Sequence, residues 1–144
     1  MPTLTYSLAP YDWAICFQHD CPLAGTCLRH AVALLAPADL KKHVTVLPTA
    51  REGDTCSLFA TAEPQRIARG MKRLLIPGSH GNSSEVRHGL FNIFGSRSHY
   101  YRYRNGEYDN TPEMQERVLR LLKRHGYKGQ EPFDTYTTQF YFPK

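Results

Sequence analysis

Apolar residues fall at helical spacing in four stretches of this chain. Leu28, Val32 and Leu35 share one face, so a short helix is predicted from Thr26, a capping residue, through about Ala36, with Pro37 ending it. Pro64 suits the first turn of a second helix. There Ile67, Met71, Leu74 and Leu75 form an apolar stripe, Arg66, Arg69, Lys72 and Arg73 fill the other faces, and Pro77-Gly78 stops it. Asn82, with Glu85 three residues on, has the form of a capping box, and Val86, Leu90, Ile93 and Phe94 follow until Gly95. Thr111-Pro112-Glu113 opens a last helix with Met114, Val118, Leu121 and Leu122 inward. Glu113 and Glu116 face Arg117 and Arg120 along its outside, and Gly126 lies beyond its end.

Elsewhere the pattern is that of strands and loops. His43 to Leu47 has strand composition, and residues 49–61 read as a loop carrying Cys56 and Phe59. In SHYYRYRNGEYD, Asn105-Gly106 is a two-residue hairpin signal. His99, Tyr101 and Tyr103 would point to one side of its first strand, and Tyr100, Arg102 and Arg104 to the other. TYTTQFYF near the C-terminus reads as a final strand.

The predicted fold is α+β, a single domain over residues 1–144 with no internal repeat. It comprises a cysteine-rich N-terminal segment (1–61), a basic helix-helix-hairpin-helix body (62–128) and a C-terminal strand or tail (129–144). Helix, short strand, helix, helix and hairpin is winged-helix-like order, a fold-level analogy. On that analogy the helix from Ser83 to Phe94 would enter the major groove with Ser84, Arg87, His88 and Asn92, and the hairpin carrying Arg97, Arg102 and Arg104 would be the wing on the phosphate backbone.

Charge sharpens this expectation. The net charge is +5, but residues 63–128 hold thirteen Lys/Arg against six Asp/Glu, while 1–62 and 129–144 each come to −1. A basic field of this kind attracts nucleic acid or another polyanion. Interleaved tyrosine and arginine also suit base stacking on a single strand, or a protein partner held through cation–π contacts. The plainer reading is a core hairpin with solvated arginines.

The candidate chemistry lies in four cysteines, Cys16, Cys21, Cys27 and Cys56, all within the first 56 residues. Brought together they could ligate tetrahedral Zn²⁺ or an iron-sulfur cluster. The C-x4-C-x5-C spacing is looser than the usual zinc pairing and matches no tight ferredoxin run, so zinc, a cluster and no metal at all stay open, with zinc first as the commoner structural ion. His19 could replace one thiolate, and is a solvated loop residue on the plainer reading. Dispersed core cysteines are the plainer alternative, and disulfides would need an oxidising compartment, of which the sequence gives no sign. The N-terminus MPTLTYSLAPYDWAICF lacks a basic n-region and an unbroken apolar h-region, so it does not read as a secretory signal, and a cytoplasmic location with reduced thiols is expected. No apolar run of 18 or more residues predicts a membrane span. Residues 1–26 are broken by Pro10, Asp20, Pro22 and Gly25, and a metal would order them.

His80, His88 and His99 stand without any HExxH, GxSxG or phosphate-loop signature, and Ser79-His80-Gly81-Asn82-Ser83 is explained by a turn before a capped helix. No residue is assigned a catalytic role, and an enzyme is not the expectation.

Together, Cys16-x4-Cys21-Pro-x4-Cys27-Leu-Arg, Cys56-x2-Phe59, Phe94-Gly95, Tyr100-Tyr101-Arg102, Arg104-Asn105-Gly106-Glu107 and Thr111-Pro112-Glu113 resemble an uncharacterised family of small bacterial proteins, a domain of unknown function. The resemblance runs through nearly the whole chain and implies a single-domain bacterial protein without indicating a mechanism. It also implies that the cysteine pattern belongs to the family. The expectation is therefore a metal-stabilised cytoplasmic protein that binds nucleic acid through a basic surface, in a regulatory rather than a catalytic role. A protein-interaction module with a purely structural metal and an iron-sulfur redox sensor are the competing readings.

Overall fold

The computed structural model describes residues 1–74, 83–127 and 131–144, leaving aside the side chain of Ser83. The fold is α+β, and the chain divides into two compact units. Unit 1 is Met1–Gln65 with Gln139–Lys144, and unit 2 is Arg66–Thr138.

Unit 1 is built mostly from extended chain and short 3₁₀ turns around one helix, α1 (Leu28–Leu34). Its core joins Trp13, Ile15, Leu28, Val32, Ala33 and Ala60. From the C-terminal segment, Phe142 sets its ring edge-on to Trp13 at 5.0 Å. Strands β1 (Arg51–Glu52) and β2 (Thr55–Cys56) form a tight antiparallel hairpin inside the stretch predicted as loop. Two further expectations are corrected here. The residue before α1 is Cys27, which makes no side-chain cap, while the Thr26 hydroxyl donates to the Leu23 carbonyl instead. His43–Leu47 is not a regular strand: it meets Ile15 in a single parallel bridge through Thr45, with Ile15 N–H donating to Val44 and Val46 N–H to Ile15. Val44 and Leu47 are exposed while Val46 is buried.

Unit 2 packs α2 (Ser83–Phe94), α3 (Arg97–Arg104) and α4 (Pro112–Arg124) with a small sheet of order β4-β3-β5, where β3 is Gln65–Arg69, β4 Asp109–Asn110 and β5 Thr135–Gln139. Helices α2 and α4 realise the apolar spacing of their sequences. Val86, Leu90, Phe94, Val118 and Leu122 are buried, and Thr111 Oγ1 caps α4 by accepting from Met114 N–H. The capping-box Asn82 and the stop at Pro77-Gly78 lie outside the described residues.

The predicted helix after Pro64 is instead β3. Its backbone pairs antiparallel with β4, Ala68 opposite Asn110 and Arg69 opposite Asp109. Ile67 and Ala68 are both buried, consistent with a strand covered on both faces. Met71 and Leu74 still enter the core, from the turn that follows.

The larger correction concerns the hairpin. Residues 97–104 are helical, so they form no wing and the winged-helix-like order does not hold. Ser96 caps this helix by accepting from His99 N–H. At the other end Asn105 is right-handed (φ −80°, ψ −2°), and only Gly106 has positive φ, +82°. A type I′ turn needs positive φ at both residues. What forms is a Schellman stop: Gly106 N–H donates to Tyr103 and Glu107 N–H to Arg102.

β5 gives unit 2 a pH-sensitive group. The Arg66 guanidinium lies 3.5 Å from the centre of the Tyr136 ring. Burial, then a hydrogen bond to Glu131, pushes the Tyr136 hydroxyl up to about 12. In the unfolded chain tyrosine ionises near pH 10, roughly its ordinary value. The folded protein therefore holds a proton that the unfolded chain has lost, and stability should fall as the pH rises from about 10 toward 12. Denaturant midpoints measured across this window should show a shallower loss in Tyr136→Phe than in the parent; parallel curves would mean that the hydroxyl does not contribute.

Candidate functional site

The four cysteines come from separate segments that the backbone of unit 1 ties together. Cys16 N–H donates to the Arg29 carbonyl, in the first turn of α1, and Cys27 forms the N-terminal boundary of that helix. Leu28 N–H donates to Ala60 and Ala62 N–H to Thr26, holding the start of α1 beside the chain that follows β2. Cys21 lies in a turn whose Gln18 side chain donates to the Val46 carbonyl. Cys56 stands opposite Arg51 across the β1–β2 hairpin. All four thiols are free and half-buried, and all four line one cavity of about 20 Å³. Among the described residues, however, no group of three or more His, Cys, Asp or Glu side chains is set out ready to hold a metal ion.

His30, and not His19, is the histidine that lines this cavity. Its Nδ1 lies 3.0 Å from the Cys16 carbonyl oxygen, which can only accept, so Nδ1 carries the hydrogen. His19 packs its ring edge-on against His30 at 5.1 Å.

Two arginines that pattern reading missed complete the cavity wall. Arg29 is 4% exposed and donates from Nε to Leu58, from Nη1 to Ala14 and from Nη2 to Pro143, all backbone carbonyls. Its guanidinium also lies 4.3 Å from the centre of the Trp13 ring. Burial lowers the Arg29 pKa, and the Cys27, Cys56 and Cys16 thiols pull it back up. Arg51 is raised, first by a side-chain hydrogen bond to Cys21, with Asp20 and Cys16 acting in the same sense. Arg51 Nη1 is shut off from solvent and has no acceptor.

The residues expected to meet nucleic acid are spread differently from the wing picture. Arg87, His88 and Asn92 are exposed on α2, as their spacing predicts. Arg97, Arg102 and Arg104 are on α3 among tyrosines. Arg97 and Arg104 flank the Tyr101 ring at 5.8 and 6.0 Å, and Arg102 donates to the Tyr108 hydroxyl at 2.7 Å. These arginines lie on a helix of unit 2 and not on a wing.

The basic groove lies elsewhere. Gly89 on α2 lets α4 approach closely, since a Cβ there would come within 2.6 Å of the Leu121 side chain. Beside this contact a cavity of about 260 Å³ is walled by Arg117, Arg120 and Arg124 of α4 and by Asn92 of α2. The i, i+3, i+7 spacing of the three arginines was present in the sequence as a basic ladder along one helix face. Glu116 pairs with Arg120 at 2.6 Å.

A small α+β protein with a cysteine-lined cavity and a basic helical groove is thus the class that fold and site define. The chain matches a family of unknown function (DUF6078) over residues 1–142, and it belongs to that family. No curated protein and no solved structure matches it. Among the described residues no helix is long and apolar enough to cross a membrane.

Proposed function

We propose that the protein binds nucleic acid along the groove between α2 and α4, as a cytoplasmic, non-catalytic factor with a regulatory role. The observation that carries this reading is the row of Arg117, Arg120 and Arg124 facing Asn92 across one cavity. The three arginines stand within two turns of α4, so they present several cationic groups along one wall to a phosphate backbone. Unit 2 carries thirteen Lys/Arg against seven Asp/Glu. Four of those carboxylates are engaged: Glu131 with Arg66, Asp109 with Arg69, Asp134 with Arg73 and Glu116 with Arg120. The charge excess therefore concentrates at positions such as Arg87, Arg117, Lys123 and Arg124. Four free cysteines support a reducing compartment.

Fluorescence anisotropy with labelled single-stranded DNA, duplex DNA and RNA, repeated at several salt concentrations, tests the reading. Affinity should fall steeply with salt, with a log–log slope of roughly 0.7–0.9 per phosphate contact. Arg117→Gln with Arg124→Gln should lower that slope by about 2 and weaken binding at low salt at least roughly tenfold. Arg66→Gln, which removes an arginine already paired with Glu131, serves as the control and should bind like the parent. Absence of binding at low salt would remove the nucleic-acid reading. Exposed Leu34, Leu35, Val44 and Leu47 on unit 1 favour a protein partner as the second reading.

A further inference from the structure

We propose that Cys16, Cys21, Cys27 and Cys56 bind one divalent zinc ion as a tetrathiolate whose double negative charge is balanced by Arg29 and Arg51. The inference rests on unit 1 alone and is independent of the nucleic-acid reading.

Three observations converge on it. The first is that every cysteine of the chain lines the same cavity, although they come from four separate places along the backbone. Unrelated core cysteines have no reason to converge in this way. The second is size. At about 20 Å³ the cavity has room for one atom-sized occupant, since a single water needs roughly 10–15 Å³ on the same measure. An iron-sulfur cluster, with several iron and sulfide atoms, would need the walls to move apart. A single ion needs the four thiols, which among the described residues form no ready metal group, to turn inward about their Cα–Cβ bonds.

The third observation is charge. Arg29 is buried against carbonyls and a ring, none of which carries a negative charge. Arg51 adds a second guanidinium beside Cys21, with Nη1 lacking an acceptor. A buried cation without countercharge is costly, and Arg29 finds none among its hydrogen-bond and ring partners, whereas Arg51 is half-buried and has Asp20 acting on it as well as the cysteines. When Zn²⁺ binds, four S–H bonds break, four Zn–S bonds form and four protons leave to solvent. The centre then carries a charge of −2, which matches the two arginines, and Arg51 gains a thiolate acceptor. No oxidant or reductant takes part.

The test uses the full chain purified under reducing conditions. Elemental analysis should find one zinc per chain. After chelation, Co²⁺ should bind one per chain with the intense thiolate-to-metal absorption and visible bands of a tetrahedral sulfur site. Thiol titration should count four reactive cysteines in the apo protein and nearly none once zinc is restored. Arg51→Gln should weaken zinc binding by about 10–100-fold, the usual consequence of removing a group that supports metal ligands. The thiol count and cobalt spectrum of the parent protein do not depend on any variant folding. Failure of zinc and cobalt to bind, several irons per chain with brown absorption, or zinc that leaves the four thiols reactive would each overturn the proposal.

Discussion

Arg29→Ala should cost unit 1 about 3–5 kcal/mol, a large part of the roughly 5–15 kcal/mol that separates a folded domain from its unfolded chain. The side chain holds together parts of unit 1 that are far apart in sequence. Through one guanidinium it satisfies carbonyls at Ala14, Leu58 and Pro143, and it lies over Trp13, whose own indole N–H also donates to Pro143. Truncation would leave two short charge-assisted bonds unmade, strand buried acceptors and remove packing from the face of Trp13. Arg29→Lys should rescue little, because one ammonium cannot reach carbonyls in three directions as a planar fork does. Trp13 is the only tryptophan, so its fluorescence during urea unfolding reports on unit 1. A transition within about 0.5 kcal/mol of the parent, the range of an ordinary surface substitution, would show that these bonds carry no net weight.

Arg29 also marks where sequence reading ended. On α1 it looks like any polar residue next to an apolar stripe; its partners come from residues 14, 58 and 143, and no local periodicity encodes contacts so distant. Helices α2 and α4 were legible because the alternation of buried and exposed positions is itself the helical signal, and Thr111-Pro112 opens α4 where the sequence placed its start. Residues 96–107 were ambiguous for a physical reason. A run of aromatic residues interleaved with arginine satisfies a period of two, while Tyr100 with Arg97, Tyr101 and Arg104 satisfies helical spacing equally well. Asn105-Gly106 does not decide, because both a hairpin turn and a helix stop want a glycine at positive φ. Ser96, three residues before His99, was the cue for a helix start. For the cysteines, composition and clustering pointed to a shared site, but the two arginines that give it an electrostatic character became apparent only once β1 had placed Arg51 across from Cys56.

In unit 2 the corresponding sensitive point is Gly70, and Gly70→Ala should destabilise by about 2–4 kcal/mol. Gly70 ends β3 at φ +78° and turns the chain so that Met71 and Leu74 enter the core. Its carbonyl accepts from Asp134 N–H at 2.9 Å, and Asp134 Oδ2 accepts from Lys72 N–H at 3.1 Å. A Cβ on residue 70 would lie 2.5 Å from that carboxylate oxygen and 3.3 Å from Asp134 Cβ. The carboxylate cannot withdraw without releasing Lys72, and the Asp134 backbone is itself bonded to Gly70. Two costs are therefore combined, left-handed strain and steric conflict, and a double-mutant cycle separates them. In an Asp134→Ala background the conflict with the carboxylate is gone and only the 3.3 Å approach to Cβ remains, so Gly70→Ala should then cost little beyond the strain, about 1–2 kcal/mol. Equal costs in both backgrounds, measured by helix circular dichroism during urea unfolding, would mean that Asp134 yields freely and that positive φ alone keeps glycine at this turn.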